Sequence, residues 1–351
     1  MHLRLFSFDS SNDFGHRVAE SLQTDPYQPL TDKDERCFED GECYVASLEN
    51  VRGADCFVIN SCYSDNEESV NDKLMKMWTF IGSLKDASAG RVTAVMPYFP
   101  YARQDRKTSS RAPITTKYIA QLFESVGTNR ILTIDAHNPT ALQNAFKINV
   151  DLLEAAGLFA KYIANEIKSK KFGISSPKNT LAVMSDVGGM TRVRRFRKIL
   201  ASCLFVEEED IDIACMDKLH QNNGEITGER IIGNVKGKSI IVLDDMIASG
   251  KTIFECAQAS EAAGANSIEA VCATHGLFVG KANKYLDHPF VKRLVITDTI
   301  KPFRISNDKI KGKLVCLGTA ELFAEAIMRT HRSESISDLI ENGFHSLETI
   351  S

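Results

Sequence analysis

Short apolar runs alternate with longer amphipathic segments along the whole chain. The apolar runs are rich in β-branched residues and have the length of buried strands. They predict strands at residues 3–8, 55–61, 91–98, 130–135, 180–185, 211–216, 238–244, 268–274, 292–297 and 313–317. Segments in which apolar residues recur at helical spacing predict helices at residues 13–23, 67–86, 113–126, 151–168, 189–200, 251–263, 279–286 and 319–331. Strands that alternate with helices in this way indicate βαβ units and mainly parallel sheets.

This many strands exceeds what one open sheet comfortably holds, so the pattern predicts two domains. The length of 351 residues agrees with that division, because single domains commonly span about 100–200 residues. We place the boundary near residue 150, with one domain at residues 1–150 and the other at residues 151–351. The last helix of the chain is expected to pack back on the first domain. The expected fold class is α/β, with two doubly wound parallel-sheet domains.

Composition and charge exclude several classes of protein. Hydrophobic residues make up 43% of the chain and charged residues 25%, which is typical of globular proteins rather than disordered or fibrous ones. The net charge of −4 gives no general attraction to nucleic acid or to anionic membranes. No apolar run approaches the roughly 20 residues that span a bilayer, and the N-terminal segment MHLRLFSFDSS becomes polar too early for a signal peptide. We therefore expect a cytoplasmic protein that binds neither nucleic acid nor a membrane.

The nine cysteines are scattered along the chain without a CxxC pair. Several stand inside apolar runs, as Cys56 does in ADCFVIN. This usage is typical of reduced thiols in a protein core. It argues against both a zinc site and a disulfide framework.

The segment KSIIVLDDMIASGKTI at 238–253 carries the most chemical information. A buried strand runs into two carboxylates, then into a loop of small residues, then into a helix. Small residues let backbone N–H groups approach a ligand closely, and a helix N-terminus attracts anions. The pattern therefore predicts a phosphate site. The candidate ligand contacts are Asp244, Asp245, Ala248, Ser249, Gly250, Lys251 and Thr252.

Two kinds of anion-binding loop compete for this segment. A Walker A loop ends in Gly-Lys-Ser/Thr, as 250–252 does, but its first glycine would fall at Asp245, where a carboxylate would face the phosphates. That assignment fails. The other is a phosphoribosyl loop, in which two acids hold ribose hydroxyls and a small-residue turn holds a 5-phosphate. The sequence favours the phosphoribosyl loop.

With this assignment, the chain resembles the ribose-phosphate pyrophosphokinases, also called phosphoribosyl pyrophosphate synthetases. Segment 244–252 resembles their phosphoribosyl-binding signature. Four further segments match in the family's order, namely FEDGE at 38–42, PYFPYARQDRK at 97–107, DAH at 135–137 and SDVGGMTRVRR at 185–195. Both ends of the chain match as well, so the resemblance covers nearly its whole length. The run YARQDRK followed by RAPITTK is specific to these synthetases and is absent from ordinary phosphoribosyltransferases.

The resemblance implies an ATP side in residues 1–150 and a phosphoribosyltransferase-like, ribose 5-phosphate side in residues 151–351. The family's adenine pocket maps onto FEDGE. The resemblance implies that Phe38 stacks on the adenine base while Asp40 and Glu42 accept hydrogen bonds from the amino group of that base. Arg103 and Gln104 are implied to contact ATP. In the family this strip reaches into a neighbouring subunit, so we expect a homo-oligomer that is at least a dimer, and we predict a hexamer because family members are commonly hexamers.

The resemblance also implies a magnesium site and a catalytic lysine. His137 and Asp186 match the residues that help to hold Mg²⁺ near the substrates. Because Mg²⁺ keeps much of its shell as water and phosphate oxygens, few protein ligands are expected. Lys218 matches a lysine that the family carries on a flexible loop. His220 stands where an arginine usually follows.

The reaction implied is transfer of the β,γ-diphosphoryl group of Mg-ATP to the 1-hydroxyl of ribose 5-phosphate, with release of AMP. Several positions depart from the family pattern, namely Leu219, His220, Ala248 and Lys251. Two alternatives therefore stay open. One is a catalytically weak homologue that acts as a regulatory subunit. The other is a phosphoribosyltransferase that consumes the activated sugar, against which FEDGE and YARQDRK count.

Overall fold

The computed structural model describes residues 1–22, 29–172, 174, 177–178, 180–220, 226–337, 339 and 349–350. The chain divides into two compact units. The first comprises Met1–Glu154 and a helix from near the end of the chain, and the second comprises Ala155–Gly318 and the final strand. The assignment of ATP to one domain and of ribose 5-phosphate to the other stays a prediction.

Strands and helices alternate through both units. The strands are β1 (Leu3–Ser7), β2 (Lys33–Cys37), β3 (Cys43–Ser47), β4 (Asp55–Ile59), β5 (Arg91–Met96), β6 (Arg130–Ile134), β7 (Asn149–Leu153), β8 (Leu181–Asp186), β9 (Asp212–His220), β10 (Ile226–Ile232), β11 (Ser239–Ile247), β12 (Ser267–Gly276), β13 (Leu294–Thr297), β14 (Leu314–Leu317) and β15 (Thr349–Ile350). The helices are α1 (Asn12–Ser21), α2 (Val70–Asp86), α3 (Thr115–Ser125), α4 (Pro139–Ala145), α5 (Ala156–Lys168), α6 (Met190–Leu204), α7 (Lys251–Ala262), α8 (Ala282–Tyr285), α9 (Asp308–Lys311) and α10 (Ala320–Arg332).

The first unit is built on a five-stranded sheet in the order β1-β4-β5-β6-β7, with every pair parallel. Strand β4 is buried along its whole length, as expected for a strand covered on both faces. Phe6 of β1 packs edge-to-face against Phe80 of α2, and Phe14 of α1 does the same with Phe323 of α10. Helix α10 therefore packs within the first unit.

The second unit contains an eight-stranded sheet in the order β10-β9-β8-β11-β12-β13-β14-β15. Its strands are parallel except for the β9–β10 pair and the β14–β15 pair. Strand β9 lies on one side of β8 and β11 lies on the other, so the strand order reverses between β8 and β11. In an open α/β sheet such a reversal leaves a crevice at the carboxyl ends of the strands, where ligands bind.

The α/β class with mainly parallel sheets is confirmed. Each predicted strand is present, but β2, β3, β7, β10 and β15 were not predicted. The predicted helix at 151–168 is wrong at its start, because β7 occupies 149–153 and α5 begins at Ala156. None of the described helices is both long and apolar enough to cross a bilayer.

Candidate functional site

Three carboxylates meet where the strand order of the second sheet reverses. Strand β11 pairs with β8 in the register Val242↔Met184. Asp244 and Asp186 each lie two residues beyond that pair, so they stand at the same level of neighbouring strands. Asp186 is exposed, and its Oδ1 accepts a hydrogen bond of 2.8 Å from the Gly189 N–H. Asp245 is buried, with 5% of its surface exposed.

The charges of this cluster are strongly coupled. Burial and the neighbouring Asp245 carboxylate together raise the pKa of Asp244 to about 7, and the Arg192 guanidinium opposes this rise. Arg192 Nη1 lies 4.0 Å from Asp245 Oδ1. Arg192, on α6, was not among the predicted site residues, although the basic run TRVRR after the two glycines could have drawn attention to it.

A tight turn of residues 248–250 connects β11, which carries the two acids, to α7. Gly250 has φ +73°, and a Cβ there would lie 2.8 Å from Leu286 Cδ2, so the turn requires glycine. Helix α7 begins at Lys251, so Thr252 lies in its first turn. The backbone N–H groups of a first turn have no acceptor within the helix and can donate to a ligand. The Lys251 ammonium forms an ion pair of 3.1 Å with Glu255. The loop offers backbone donors and the Ser249 and Thr252 hydroxyls beside Ala248.

Lys218 and His220 lie in strand β9, which extends four residues beyond its predicted end at 216. The predicted loop at this place is therefore wrong for 217–220: the backbone pairs antiparallel with β10, in the register Glu229↔Lys218. The prediction missed this pairing because it did not identify β10. The side chains of Lys218 and His220 lie outside the described part of the chain, as does the segment 221–225.

In the first unit, two loops at the carboxyl ends of neighbouring strands are joined by a hydrogen bond. Asn138, after β6, donates from Nδ2 to Asp105 Oδ2 of the loop after β5, over 2.6 Å. Gln104 precedes Asp105, and its Oε1 accepts a hydrogen bond of 2.5 Å from Thr115 Oγ1. Arg103 and His137 are exposed on these same loops. The structure thus brings Arg103 and Gln104, the predicted ATP contacts in the loop after β5, close to the loop after β6, which carries the predicted metal ligand His137.

Phe38, Asp40 and Glu42 lie at the tip of the β2–β3 hairpin, a two-stranded sheet of its own. The Phe38 N–H donates to the Glu42 carbonyl oxygen over 2.7 Å, and the Glu42 N–H donates to Asp40 Oδ1 over 3.1 Å. Phe38 is 49% exposed, so its ring is accessible to a ligand.

Buried ion pairs anchor the base of this hairpin. The Glu35 carboxylate of β2 lies 2.8 Å from the Lys76 ammonium of α2 and 2.6 Å from that of Lys33. All three side chains are less than 10% exposed. Because breaking a buried ion pair is costly, the base of the hairpin is held firmly while its tip remains exposed.

The candidate metal ligands are His137 of the first unit and Asp186 of the second. Across the described residues, no group of three or more His, Cys, Asp and Glu side chains is arranged to hold a metal ion. Mg²⁺ commonly takes one or two protein ligands and completes its shell with water and substrate phosphates. His137 and Asp186 are both exposed, and their role as metal ligands stays a prediction.

Comparison with known proteins matches both parts of the chain to family models. Residues 3–127 match the N-terminal domain of ribose phosphate pyrophosphokinase. Residues 217–341 match the phosphoribosyl synthetase-associated domain.

Relatives match over almost their whole length. A ribose-phosphate pyrophosphokinase of Caldanaerobacter subterraneus subsp. tengcongensis is 38% identical over 338 residues, covering 96% of this chain and 97% of the relative. Ribose-phosphate pyrophosphokinase 1 of Streptococcus agalactiae is 36% identical over 342 residues, with 97% of each chain covered. A crystal structure of phosphoribosylpyrophosphate synthetase from Mycobacterium smegmatis superposes with a TM-score of 0.77 at 30% identity, covering 95% of this chain and 100% of that one.

Proposed function

This chain belongs to the ribose-phosphate pyrophosphokinase family, and we propose that it transfers the β,γ-diphosphoryl group of Mg-ATP to the 1-hydroxyl of ribose 5-phosphate. The products are phosphoribosyl pyrophosphate, used in nucleotide biosynthesis, and AMP. The observation that carries the proposal is similarity to synthetases over 96% or more of the chain. That similarity favours an active synthetase over the regulatory homologue and over the phosphoribosyltransferase considered above.

We propose that ribose 5-phosphate binds at the carboxyl ends of β8 and β11. Asp244 and Asp245 accept hydrogen bonds from the ribose hydroxyls, and residues 248–252 bind the 5-phosphate through backbone N–H groups and hydroxyls. Because its ammonium already pairs with Glu255, Lys251 contributes through its place in the first turn of α7.

We propose that Arg103 and Gln104 bind the triphosphate of ATP, and that the hairpin tip binds adenine through Phe38, Asp40 and Glu42. The exposed Phe38 ring is accessible to a neighbouring subunit, and the proposal therefore includes a homo-oligomer that is at least a dimer. A hexamer is expected because family members are commonly hexamers. When bound, Mg²⁺ neutralises phosphate charge. His137 and Asp186 would contribute its protein ligands, and Asp186 is kept in orientation by the Gly189 N–H.

The decisive experiment for this function measures AMP formation from ATP. We expect AMP to form only when ribose 5-phosphate and magnesium are both present. The amount of AMP should equal the amount of phosphoribosyl pyrophosphate formed. A catalytically weak regulatory homologue would produce little or no AMP under the same conditions. A phosphoribosyltransferase would instead consume phosphoribosyl pyrophosphate when a nucleobase is added. Either result would refute the proposal.

Replacing Phe38 by alanine should raise the KM for ATP by about tenfold, because stacking of a base on an aromatic ring contributes roughly 1–3 kcal/mol. The KM for ribose 5-phosphate should stay within about twofold, since the ring is proposed to contact only adenine. Steady-state kinetics with each substrate varied in turn gives both values. Phe205→Ala is the matched control, because that side chain is 87% exposed on the second unit.

Mixing two impaired variants, assayed at an ATP concentration below the wild-type KM, tests the shared site of the same prediction. If Phe38 serves a neighbouring subunit, mixed oligomers of Phe38→Ala and Arg103→Ala chains contain some sites in which both side chains are intact. Mixing under exchange conditions should then give more activity than either variant alone. Activity equal to the mean of the two separate variants would place both residues in one subunit's site.

A further inference from the structure

The thiols of Cys37 and Cys43 face each other across the β2–β3 hairpin. The two residues are directly opposed in the antiparallel register, and their Sγ atoms lie 2.6 Å apart. Directly opposed residues have Cβ atoms about 4.5–5.5 Å apart, and a disulfide needs about 3.5–4.5 Å. A small adjustment of the hairpin therefore brings this pair within bonding geometry.

The pair stands next to the proposed adenine contacts. Phe38 follows Cys37 directly, and Glu42 precedes Cys43, so a bond between the two sulfurs would close the five-residue tip into a ring. The Arg36 guanidinium lies over the rings of Phe38 and Tyr44, at 5.8 Å and 4.8 Å from their centroids. Because side chains alternate along a strand, the thiols lie on the opposite face of the hairpin from this aromatic cluster.

The base of the hairpin cannot easily absorb the strain of a new bond. Glu35 is held by Lys33 and Lys76, and Lys76 also pairs with Glu68 of the segment before α2. The side chains of this network are at most 16% exposed. A bond between Cys37 and Cys43 would therefore be accommodated mainly by movement of residues 38–42, which carry the adenine contacts.

The remaining cysteines are poorly placed for the same chemistry. All nine lie within the described ranges, and among them only Cys37 is exposed. Burial raises the pKa of Cys56 and of Cys62 to about 12, so both remain protonated and protected in the core. Oxidation by a small molecule should therefore begin at Cys37.

We propose that Cys37 and Cys43 form a reversible disulfide by exchange with a small-molecule disulfide, and that its formation weakens ATP binding. The consequence for ATP rests on the proposed function, whereas formation of the bond does not. The hairpin would thus couple the rate of phosphoribosyl pyrophosphate synthesis to the thiol–disulfide state of the surroundings.

The exchange takes place in two steps. The exposed Cys37, as its thiolate, attacks one sulfur of the small disulfide, whose S–S bond breaks and releases one thiolate. Cys43 then loses its proton and attacks the Cys37 sulfur of the mixed disulfide, which releases the second thiolate. Burial and the hydrogen bond with Cys37 raise the pKa of Cys43 to about 11, which disfavours Cys43 as the thiol that attacks first. The closeness of the two sulfurs is what favours its attack in the second, intramolecular step. Overall, the two cysteines lose two electrons and two protons, and the small disulfide is reduced to two thiols that take them up.

The test incubates the full-length protein in buffers with increasing ratios of oxidised to reduced glutathione. Peptide mapping without reduction then quantifies the bond between residues 37 and 43, and kinetics gives the KM for each substrate. We expect the disulfide to form and the KM for ATP to rise by at least about threefold, since a displacement of about one ångström already weakens positioning. The KM for ribose 5-phosphate should not change, and excess dithiothreitol should restore the original values.

Variants separate the possible causes of such a change. Cys37→Ser and Cys43→Ser should each abolish the effect of oxidised glutathione on the KM for ATP, while Cys203→Ser, which alters a half-buried thiol of α6, should retain it. Absence of the disulfide in the wild-type protein, or its formation without a change in the KM for ATP, would overturn the proposal. Failure of the reduced protein to form AMP would instead refute the proposed function, while the mapping would still report on the disulfide.

Discussion

Lys218→Ala should lower kcat by at least about a hundredfold, the effect of losing one electrostatic donor to a transition state. In β8–β9 pairing, Asp186 stands opposite Met216, and Lys218 lies two residues further along β9. The lysine backbone therefore lies at the edge of the second sheet where β8 and β11 end. From there we propose that its ammonium meets the negative charge that develops as the bond between the α- and β-phosphoryl groups breaks. Because that charge is absent from the bound substrates, the KM values should change little.

Steady-state kinetics on the purified variant gives both parameters, and single-turnover AMP formation separates chemistry from product release. Lys236→Ala is a suitable control, because Lys236 is an exposed lysine of the same unit that lies outside the proposed site. Lys218→Arg should recover part of the lost rate by restoring the charge with a different geometry. A Lys218→Ala enzyme with a wild-type kcat would remove Lys218 from the mechanism.

The elements that the sequence predicted are those with strong apolar periodicity. Strand β4 (DCFVI) and strand β11 (SIIVLDDMI) are buried and have a neighbouring strand on each side, and burial is the cause of that pattern. Strand β2 reads KDERC and shows no such pattern. It is stabilised instead by its hairpin partner and by ion pairs to α2, contacts between residues far apart in sequence that a single segment does not reveal.

The candidate site likewise contains residues that the sequence predicts and residues whose role depends on contacts between distant segments. Asp186, Asp244 and Asp245 lie at or near the carboxyl ends of recognisable strands, so their approach at one sheet edge could be predicted from the rule that parallel strands end together. The approach of Arg192 to Asp245 could not be predicted in this way, because it depends on where α6 places the guanidinium. The opposed thiols of Cys37 and Cys43 depend on the hairpin register, which requires knowing the turn between them.

Replacing Asp244 or Asp245 by alanine should weaken ribose 5-phosphate binding by about 1–3 kcal/mol, or roughly fivefold to 150-fold in Kd, the cost of losing charge-assisted hydrogen bonds. Isothermal titration calorimetry measures the Kd directly. Glu261→Ala is the control for general effects on the second unit, since it removes an exposed carboxylate near the end of α7 without touching the acidic pair or the loop at 248–252. Unchanged affinity in both aspartate variants would show that the acids do not bind the sugar.

The pH dependence of the same binding step distinguishes the two acids. Burial and the Asp245 charge raise the pKa of Asp244 to about 7, so its carboxyl group is protonated in acid and ionised in base around neutral pH. Ribose hydroxyls donate best to the ionised form, so affinity should rise with pH through about 7 and level off above it. Asp244→Asn, which keeps the shape but cannot ionise, should remove that rise. Because the substrate phosphate also titrates near pH 6, the informative quantity is the difference between the two proteins. If wild type and Asp244→Asn change in parallel from pH 5.5 to 8.5, Asp244 is not the group whose ionisation controls sugar binding.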